Sequence, residues 1–586
     1  LVQGVLGEVS DRSLLFRCSL KRSLYDFDGG GDSCDSNMND YDKTTAFLGQ
    51  WGRFQQIVFF LLCASIVPNG FAAFSVVFLT DIPSHHCLVP EVNLTQDWRN
   101  AIIPIEVVHG KQRLKRCSRY RLDVVRNLSA QGLFPDRDVN LTDLEQESCV
   151  NGWSYSRDIY QSTIVSEFDL VCSDQWKQPF TSTVYFLGIL IGAFISGQLS
   201  DRFGRKPVFF ATLAVQTFFS FVTIFSPSWT VFFILFFTSG LGQYSNYVTA
   251  FVLGTEILTG NVRVMFSSLG VSLGFAVGYM TLPLLAYFLR DWKSLQLAIS
   301  LPGLLYFPLW WFIPESPLWL LSQGRVEEVE TIVRKAAKMN KVEAPQVIFD
   351  DYSVHADETN AHPKQHHNVF NLLRTKNIRN MTFILCLVWF TLSTGYSVLS
   401  LNTSRLDSNS YLSCFLSAAV EVPAYISSWL ALRYLPRRLS TICVLLLGGV
   451  SLYFIQLVPE TLSDLSVALE MLGKFGISTG TALMFVYTAE LYPTVLRSTA
   501  TGTCSTVSNL GSCIAPSLIH LSEYFKYLPY ITMGTLAVMS AFAAFFLPES
   551  FGRPLPQTIQ QMQSMKCPFI PRKDHSKPVV LFESQL

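Results

Sequence analysis

The chain has 586 residues, of which 49% are hydrophobic and only 15% are charged. Soluble domains carry about 25% charged residues, so this composition argues against a soluble protein. Lysine plus arginine and aspartate plus glutamate balance at 44 each, which leaves no net charge to attract nucleic acid.

The N-terminal segment 1–53 precedes the first apolar run and contains no stretch that resembles a signal peptide. Residues 1–37 are polar and unpatterned, and Met38 follows them. We expect Met38 to be the natural start, so that residues 1–37 are non-native or dispensable within a cytoplasmic segment.

Long uncharged runs dominate the rest of the chain. A helix that crosses about 30 Å of hydrocarbon needs roughly 20 mainly apolar residues. Such runs occupy residues 54–79, 180–199, 207–225, 229–253, 265–289, 294–313, 381–401, 411–432, 439–458, 464–486, 498–521 and 528–547. We therefore predict an all-α membrane protein with twelve transmembrane helices, in two six-helix halves at 54–313 and 381–547. A cytoplasmic linker at 314–380 joins the halves, and a cytoplasmic tail at 548–586 follows them.

Basic residues in the short loops indicate which side each loop faces, because cytoplasmic loops carry an excess of lysine and arginine. Such residues follow the second and eighth spans: Arg202, Arg205, Lys206, Arg433, Arg437 and Arg438. The short loops 226–228 and 459–463 carry none. Both termini are therefore predicted to be cytoplasmic, although a few basic residues on the outer side run against the rule.

Segment 80–179 is then predicted to be a large extracellular loop. It contains three glycosylation sequons, at Asn93, Asn127 and Asn140. It also contains an even number of cysteines, as expected for disulfides in an oxidising compartment: Cys87, Cys117, Cys149 and Cys172. Four cysteines allow three pairings, and the sequence does not choose among them.

The two halves share motifs at a fixed separation. Glu256 precedes Arg263 by seven positions, as Glu490 precedes Arg497, and the two glutamates lie 234 positions apart. The same separation relates the Pro-Glu-Ser sequences at 314–316 and 548–550. We infer a duplicated six-helix unit, the architecture of transporters whose halves rock around a central site.

The motif charges all fall at the predicted cytoplasmic ends of spans. The carboxylates are Asp201, Glu256, Glu315, Glu490 and Glu549, and the arginines are Arg205, Arg263, Arg437 and Arg497. We predict that they form ion pairs that hold the inner side closed and then break during transport. The alternative is that these charges only anchor the helix ends at the lipid headgroups.

Several motifs resemble those of a known family. Residues 197–206 resemble the motif between spans two and three of the major facilitator superfamily. Residues 314–325 and 487–494 resemble the organic cation/anion/zwitterion transporters. Finer similarity to the novel organic cation/carnitine transporters lies at residues 45–52, 144–149 and 313–317. The resemblance implies a plasma-membrane carrier of carnitine, acylcarnitine, or zwitterions such as ergothioneine, in some cases with Na⁺.

The same resemblance suggests roles for individual residues. Asn69 and Gln216 match positions linked to sodium dependence in carnitine-transporting relatives, and Asn246 with Tyr247 matches a pair that lines the substrate pocket. Two positions depart from the family pattern. Leu318 replaces an arginine of the gate motif, and Asn509 replaces an arginine that would receive the substrate carboxylate.

Polar residues inside the spans are candidates for the substrate site, because each is costly to insert into lipid. Gln243 lies in the same turn as the Asn246–Tyr247 pair, and Glu421 precedes a helix-breaking proline. A trimethylammonium group is best held by aromatic faces and a nearby carboxylate. We expect Tyr247, Tyr396 and Tyr487 to supply the faces and Glu421 the charge.

Lys474 is the remaining basic residue within the second-half spans that could meet a substrate carboxylate. Glu470 lies one helical turn before it, so a local ion pair without a substrate role is the alternative. If Asn509 cannot neutralise a carboxylate, cationic or weakly anionic zwitterionic substrates are favoured.

Motifs for other energy sources and activities are absent from the sequence. The nearest stretch to a phosphate-binding loop, residues 254–261, lacks its lysine, so we expect no ATP coupling. We expect no enzyme activity, no metal centre and no cofactor, with Na⁺ as the coupling ion. The C-terminal residues Ser584–Leu586 fit a ligand for PDZ-type scaffolds.

The sequence therefore predicts a sodium-coupled secondary carrier of carnitine-like solutes. A sodium-independent, electrogenic facilitator of organic cations or ergothioneine-type zwitterions is the alternative within the same class. A receptor or sensor that has kept the carrier fold is the alternative from another class.

Overall fold

The computed structural model describes residues 41–551 apart from 43, 91–93, 109–110, 347, 350–375, 406–409, 460–461, 493 and 523. Before the linker its helices are α1 (Arg53–Phe74), α2 (Val76–Leu79), α3 (Gln96–Ala101), α4 (Leu122–Ala130), α5 (Ile164–Glu167), α6 (Lys177–Phe203), α7 (Arg205–Thr223), α8 (Trp229–Ile257), α9 (Gly260–Met265), α10 (Val271–Phe288) and α11 (Trp292–Leu305). The linker contains α12 (Pro317–Ser322) and α13 (Val326–Asn340). From its end onward come α14 (Lys376–Leu401), α15 (Ser410–Ala419), α16 (Glu421–Tyr434), α17 (Arg437–Phe454), α18 (Ser463–Leu491), α19 (Thr494–Leu521) and α20 (Leu528–Ala544).

Several helices have the length and composition of membrane spans. Those of the described chain that pass both criteria cover residues 53–79, 172–203, 205–223, 271–288, 377–401, 410–434 and 437–457. Helices α8 and α18 are 29 residues each, but polar and charged residues interrupt their apolar runs. The total of twelve spans stays a prediction, whereas several helices of the described chain are long and apolar enough to cross a membrane.

The helices form two bundles that meet along two seams. In the first bundle α8 lies between α6 and α7, and α10 packs along α1. In the second, α19 packs on α14, and α17 lies between α18 and α20. The seams are α6 against α19 and α10 against α15. Under the 234-residue repeat α6 corresponds to α15 with α16, and α10 to α19. One seam therefore pairs α6 with the counterpart of α10, and the other pairs α10 with the counterpart of α6.

The run at 411–432 is one predicted span but two helices, α15 and α16. Pro423 has no N–H group, so it cannot donate to the carbonyl of Ala419, where α15 ends. The break leaves Glu421 in the first turn of α16. Unpaired N–H groups at a helix start favour a carboxylate there, so the proline helps to place a negative charge inside the bundle.

Segment 80–179 folds as a small disulfide-linked domain. Its strands pair antiparallel as β1 (His85–Cys87) with β6 (Trp153–Tyr155), β2 (Ile105–Val108) with β3 (Lys111–Leu114), and β4 (Ser118–Tyr120) with β5 (Gln146–Ser148). Trp98 is fully buried at the centre of its small core.

The structure selects one of the three cysteine pairings that the sequence leaves open. Cys87 bonds Cys149, and Cys117 bonds Cys172. Of the three sequons, Asn127 on α4 and Asn140 are exposed, and Asn93 lies outside the described residues.

This domain contacts both bundles. The Lys293 Nζ of the first bundle lies 2.7 Å from a Glu167 carboxylate oxygen of the domain. The Tyr411 hydroxyl of the second bundle donates to the Ile159 carbonyl at 2.9 Å. The Tyr411 ring also stacks on Phe78 of α2, with centroids 5.6 Å apart. The domain and the rim of the two bundles therefore form one connected surface.

The linker helix α13 is fastened to the first bundle. Its apolar face buries Val329 and Val333 in the first-bundle core. The Asn340 amide donates to the Leu48 carbonyl at 3.0 Å and accepts from the Phe54 N–H at 2.8 Å. The start of α1 is thereby held by the end of α13.

Helices α1 and α10 approach so closely at Gly70 and Gly278 that no side chain fits at these two positions. A Cβ on Gly278 would lie 2.1 Å from the Val67 carbonyl oxygen, and one on Gly70 would lie 2.2 Å from that of Phe275. Small residues allow this approach in membrane helices, where close packing is a main source of association.

We expect Gly278→Val to destabilise the protein by about 1–3 kcal/mol, because the added atoms force backbone apart. Gly197→Val is the matched control, since a Cβ on this helical glycine meets no atom within 4 Å. Thermal unfolding in detergent should show a lower midpoint for Gly278→Val than for the control. Equal midpoints would contradict the importance of this contact.

Candidate functional site

A buried ion pair lies where the two bundles meet. The Lys474 ammonium on α18 is 3.4 Å from a Glu421 carboxylate oxygen on α16, and neither side chain is exposed. The Tyr396 hydroxyl on α14 donates to the same oxygen at 2.7 Å, and the Tyr425 hydroxyl donates to the other at 3.4 Å. These bonds offset the cost of removing the carboxylate from water.

The Lys474 ammonium is enclosed by hydroxyl groups and aromatic rings. It donates to the hydroxyls of Ser417 at 2.6 Å and Ser400 at 3.0 Å. It lies 4.6 Å from the ring centroid of Tyr279, 5.3 Å from that of Tyr396, and 6.0 Å from that of Phe74. We call Phe74, Tyr279, Tyr396 and Glu421 the cation cage. Phe74 and Tyr279 belong to the first bundle, so the cage spans the boundary between the bundles.

Glu470 does not take part in this ion pair, contrary to the alternative drawn from its spacing to Lys474. Its Oε2 accepts a bond from the Tyr530 hydroxyl at 2.6 Å, and the Asn402 amide donates to that hydroxyl at 2.6 Å. Lys474 instead reaches across to α16, because Glu421 lies nearer to its ammonium.

A second polar cluster lies inside the first bundle, on the predicted sodium and pocket residues. The Asn69 amide donates to the Asn246 side-chain oxygen at 3.0 Å, and the Gln243 amide donates to the Asn69 carbonyl at 3.1 Å. The side-chain oxygens of Asn69, Gln243 and Gln216 have no hydrogen-bond partner among the described residues. Buried acceptors without donors are costly, and oxygen ligands of this kind suit a cation.

The other predicted pocket residues lie in different places. The Tyr247 ring is stacked on Tyr244, with centroids 6.0 Å apart, and the Tyr244 hydroxyl contacts the side chain of Asn509 across the boundary between the bundles. Tyr487 lies elsewhere: its hydroxyl donates to the Pro548 carbonyl at 2.7 Å. The structure therefore brings Tyr247 and Asn509 to one region and keeps Tyr487 out of the cage.

Sequence reasoning missed Tyr279, Phe74 and Ser417 of this site. Ser417 lies four positions before Glu421, a spacing that could have indicated one helix face. Tyr279 is a polar interruption in the apolar run 265–289. Phe74 has no signal, since most of the apolar runs contain phenylalanine.

The charged motifs of the first half form a compact network at the end of the bundle. Arg205 contacts Glu256 at 3.0 Å and Asp201 at 2.8 Å, and all three side chains are buried. Glu315 accepts bonds from the backbone N–H groups of Arg205 and Lys206 at 2.9 and 3.0 Å. Burial raises the pKa of the Glu315 carboxyl, and the N–H groups that bind it oppose this shift.

The second half repeats this network. Arg437 contacts Glu490 at 3.1 Å. Glu549 accepts bonds from the N–H groups of Arg437 and Arg438 at 2.8 and 3.1 Å. Ser550 donates to Glu490, as Ser316 donates to Glu256 in the first half. Ion pairs between the motif glutamates and Arg205 or Arg437 are thus present in both halves, and their role in gating stays a prediction.

The other two predicted arginines, Arg263 and Arg497, are not seen to pair with the motif carboxylates among the described residues. Arg263 pairs with Asp42 at 3.0 Å, a carboxylate of the N-terminal segment that the sequence did not single out. The side chain of Arg497 lies outside the described residues.

Leu318, which departs from the family motif, is buried in the first-bundle core. It lies beside Trp319, whose indole donates to the Asp201 carbonyl at 3.0 Å.

Comparison with known proteins identifies this architecture. The profile of the sugar (and other) transporter family matches residues 146–562. The chain belongs to this transporter family. It is 54% identical over 530 residues to organic cation/carnitine transporter 2 of Rattus norvegicus, covering 90% of this chain and 95% of that protein. Solute carrier family 22 member 4 of Mus musculus is also 54% identical over 530 residues, covering 90% of this chain and 96% of that protein.

Solved structures agree on the fold of the transporter. The xylose transporter XylE from E. coli, in a partially occluded inward-open conformation, gives a TM-score of 0.57 at 14% identity. The match covers 86% of this chain and 100% of that chain. Such low identity shows the fold alone. The chain is thus a multi-pass membrane transporter, and its family and relatives are not enzymes.

We expect Glu490→Gln to slow turnover of this transporter by about tenfold, equivalent to about 1.4 kcal/mol on the limiting step. Glutamine still accepts the Ser550 bond but loses the charge that holds Arg437. Glu330→Gln is the matched control, because Glu330 pairs with Arg334 on the half-exposed surface of α13. Uptake should be normalised to surface protein; loss of folded protein, instead of slower uptake, would favour the anchoring role.

Proposed function

We propose that this transporter moves carnitine and related quaternary-ammonium zwitterions or organic cations across the plasma membrane by alternating access. The observation that carries this proposal is the cation cage, in which aromatic rings from both bundles surround a cation beside Glu421. The names of the similar carnitine transporters support the same substrate class.

The chemistry of the cage suits quaternary ammonium. Such a group has no N–H, so it cannot satisfy a buried carboxylate by hydrogen bonding. Aromatic faces attract it at roughly 0.5–2 kcal/mol each, and Glu421 supplies the opposite charge. An ammonium is already held there in the form of Lys474, which supports a site built for positive charge.

The position of the cage suits alternating access. Tyr279 and Phe74 belong to the first bundle, whereas Tyr396 and Glu421 belong to the second. Rocking of the bundles changes the distance between these two pairs of residues. Binding of a cation in the cage is therefore coupled to the side of the membrane that the cage faces. The repeated Arg205 and Arg437 networks supply equivalent contacts on each bundle.

We propose Na⁺ as the coupling ion, bound near Asn69. Three partnerless side-chain oxygens, those of Asn69, Gln243 and Gln216, support this assignment. Moving one positive charge inward gains about 2.3 kcal/mol per 100 mV of membrane potential. That energy supports roughly tenfold accumulation at ordinary resting potentials.

We further propose twelve spans with both termini cytoplasmic and the 80–179 domain outside. Its two disulfides suit an oxidising compartment, and the exposed Asn127 and Asn140 are available for glycosylation. The PDZ-type ligand at Ser584–Leu586 lies outside the described residues and stays a prediction.

A sodium-independent facilitator of organic cations or ergothioneine-type zwitterions is the second candidate. The neutral Asn509, which faces Tyr244 at the boundary between the bundles, favours it. A receptor without transport is disfavoured by the intact ion-pair networks in both halves.

Uptake of labelled carnitine, ergothioneine and tetraethylammonium into proteoliposomes tests the proposal. We expect accumulation of carnitine that falls when Na⁺ is replaced by N-methyl-D-glucamine. Uptake of tetraethylammonium or ergothioneine that is indifferent to Na⁺ would select the facilitator. No uptake of any of the three would refute the proposed function.

We expect Asn509→Arg to lower the KM for carnitine by about tenfold, because a guanidinium near Tyr244 can pair with the substrate carboxylate. Uptake of tetraethylammonium should stay unchanged or weaken, since this cation has no carboxylate. Asn509→Gln is the matched control without a charge. An unchanged KM for carnitine would show that this position does not face the substrate.

A further inference from the structure

We propose that Lys474 is a built-in stand-in for the substrate cation: its ammonium fills the cation cage when no substrate is bound, and the substrate displaces it toward Glu470. This inference rests on the proposed function, because it assigns the cage to the substrate. It replaces the idea that Lys474 receives the substrate carboxylate.

The contacts of Lys474 are those expected of a bound cation. Its ammonium is beside Glu421, donates to Ser417 and Ser400, and lies within 4.6–6.0 Å of three ring centroids. A second ammonium cannot enter this volume while the first remains, since like charges at contact repel strongly in a low dielectric. Binding of a cation at Glu421 therefore requires Lys474 to leave.

Glu470 offers the displaced ammonium a place to go. It lies one turn before Lys474 on α18, so the two Cβ atoms are about 5–6 Å apart on one helix face. Its Oε2 accepts a bond from Tyr530, and the Asn402 side chain also interacts with this carboxylate, whereas Oε1 itself has no hydrogen-bond partner among the described residues. Glu470 is fully buried, so an unpartnered oxygen there is costly. A rotation of the flexible lysine side chain could satisfy it.

The charges of this set match one incoming cation. Two carboxylates, Glu421 and Glu470, share a single lysine, so the set can accept one further positive charge. Before displacement Lys474 neutralises Glu421; afterwards the substrate neutralises Glu421 and Lys474 neutralises Glu470. No step leaves an ammonium buried without a carboxylate, and displacement gives Glu470 the cationic partner that it lacks in the empty carrier.

Lys474 also connects the bundles in the absence of substrate. Its ammonium contacts the Tyr279 hydroxyl of the first bundle at 3.4 Å while it pairs with Glu421 of the second. In the carrier without substrate, the two bundles can therefore close around the Lys474 ammonium. This contact would let the empty form return across the membrane without a solute.

Two carboxylate variants test the displacement, with tetraethylammonium as the probe because it carries no carboxylate. We expect Glu470→Gln to raise the KM for tetraethylammonium uptake in proteoliposomes about tenfold, because the displaced lysine loses its counter-charge. Glu470→Asp keeps the charge and should raise it less. In a Lys474→Gln background the Glu470→Gln change should have no further effect, and Lys474→Gln alone should lower the KM.

Several results would overturn the proposal. One is an equal effect of Glu470→Gln with and without Lys474. Another is a Lys474→Gln protein whose KM rises for carnitine but not for tetraethylammonium, which would make Lys474 a receptor for the carboxylate. If Lys474→Gln does not fold, Lys474→Arg decides: a guanidinium binds Glu421 more firmly, so an unchanged KM for tetraethylammonium would contradict the stand-in role. Lack of all uptake by the unaltered protein would instead refute the proposed function.

Discussion

Between the two bundles, a lysine ammonium and a glutamate carboxylate face each other without exposure to solvent. A charge in such a place needs a partner and hydrogen bonds, or it costs several kcal/mol. Lys474 and Glu421 meet this requirement with groups from both bundles. The second bundle supplies hydrogen bonds with Tyr396, Ser400 and Ser417, and the first bundle supplies the hydroxyl and ring of Tyr279. The electrostatic demand of one buried pair therefore ties the two halves together at the centre of the molecule.

At the end of each bundle, the repeated charged motifs satisfy the hydrogen-bonding groups of a helix start. A helix start exposes N–H groups that cannot find partners within the helix. Glu315 and Glu549 accept these bonds at the starts of α7 and α17, and each adjacent arginine pairs with a buried glutamate. Because the two networks lie within their own bundles, each network can stabilise its bundle independently of the contacts between the bundles.

The sequence predicts the parts of this molecule that depend on local composition. Apolar length identifies the helices, and the repeated motifs single out the charged residues of both networks, but they do not predict which carboxylate meets which arginine. Contacts between distant spans are harder to predict from the sequence. Spacing alone pairs Lys474 with Glu470, whereas the fold brings Lys474 to Glu421. Tyr279 and Phe74 were missed because an aromatic residue in an apolar span has the same pattern whether it faces lipid, core or cage. Asp42 was missed as the partner of Arg263 because it lies before the first span.

The disulfide-linked domain has a mechanical consequence through its bonds to both bundles. Lys293 ties it to the first bundle, while Tyr411 of the second reaches the Ile159 carbonyl and stacks on Phe78. Separation of the bundles on this face must break the Tyr411 contacts but can leave Lys293 in place. An antibody fragment that braced the domain against Tyr411 would thus clamp this face shut from a distance, without entering the translocation path.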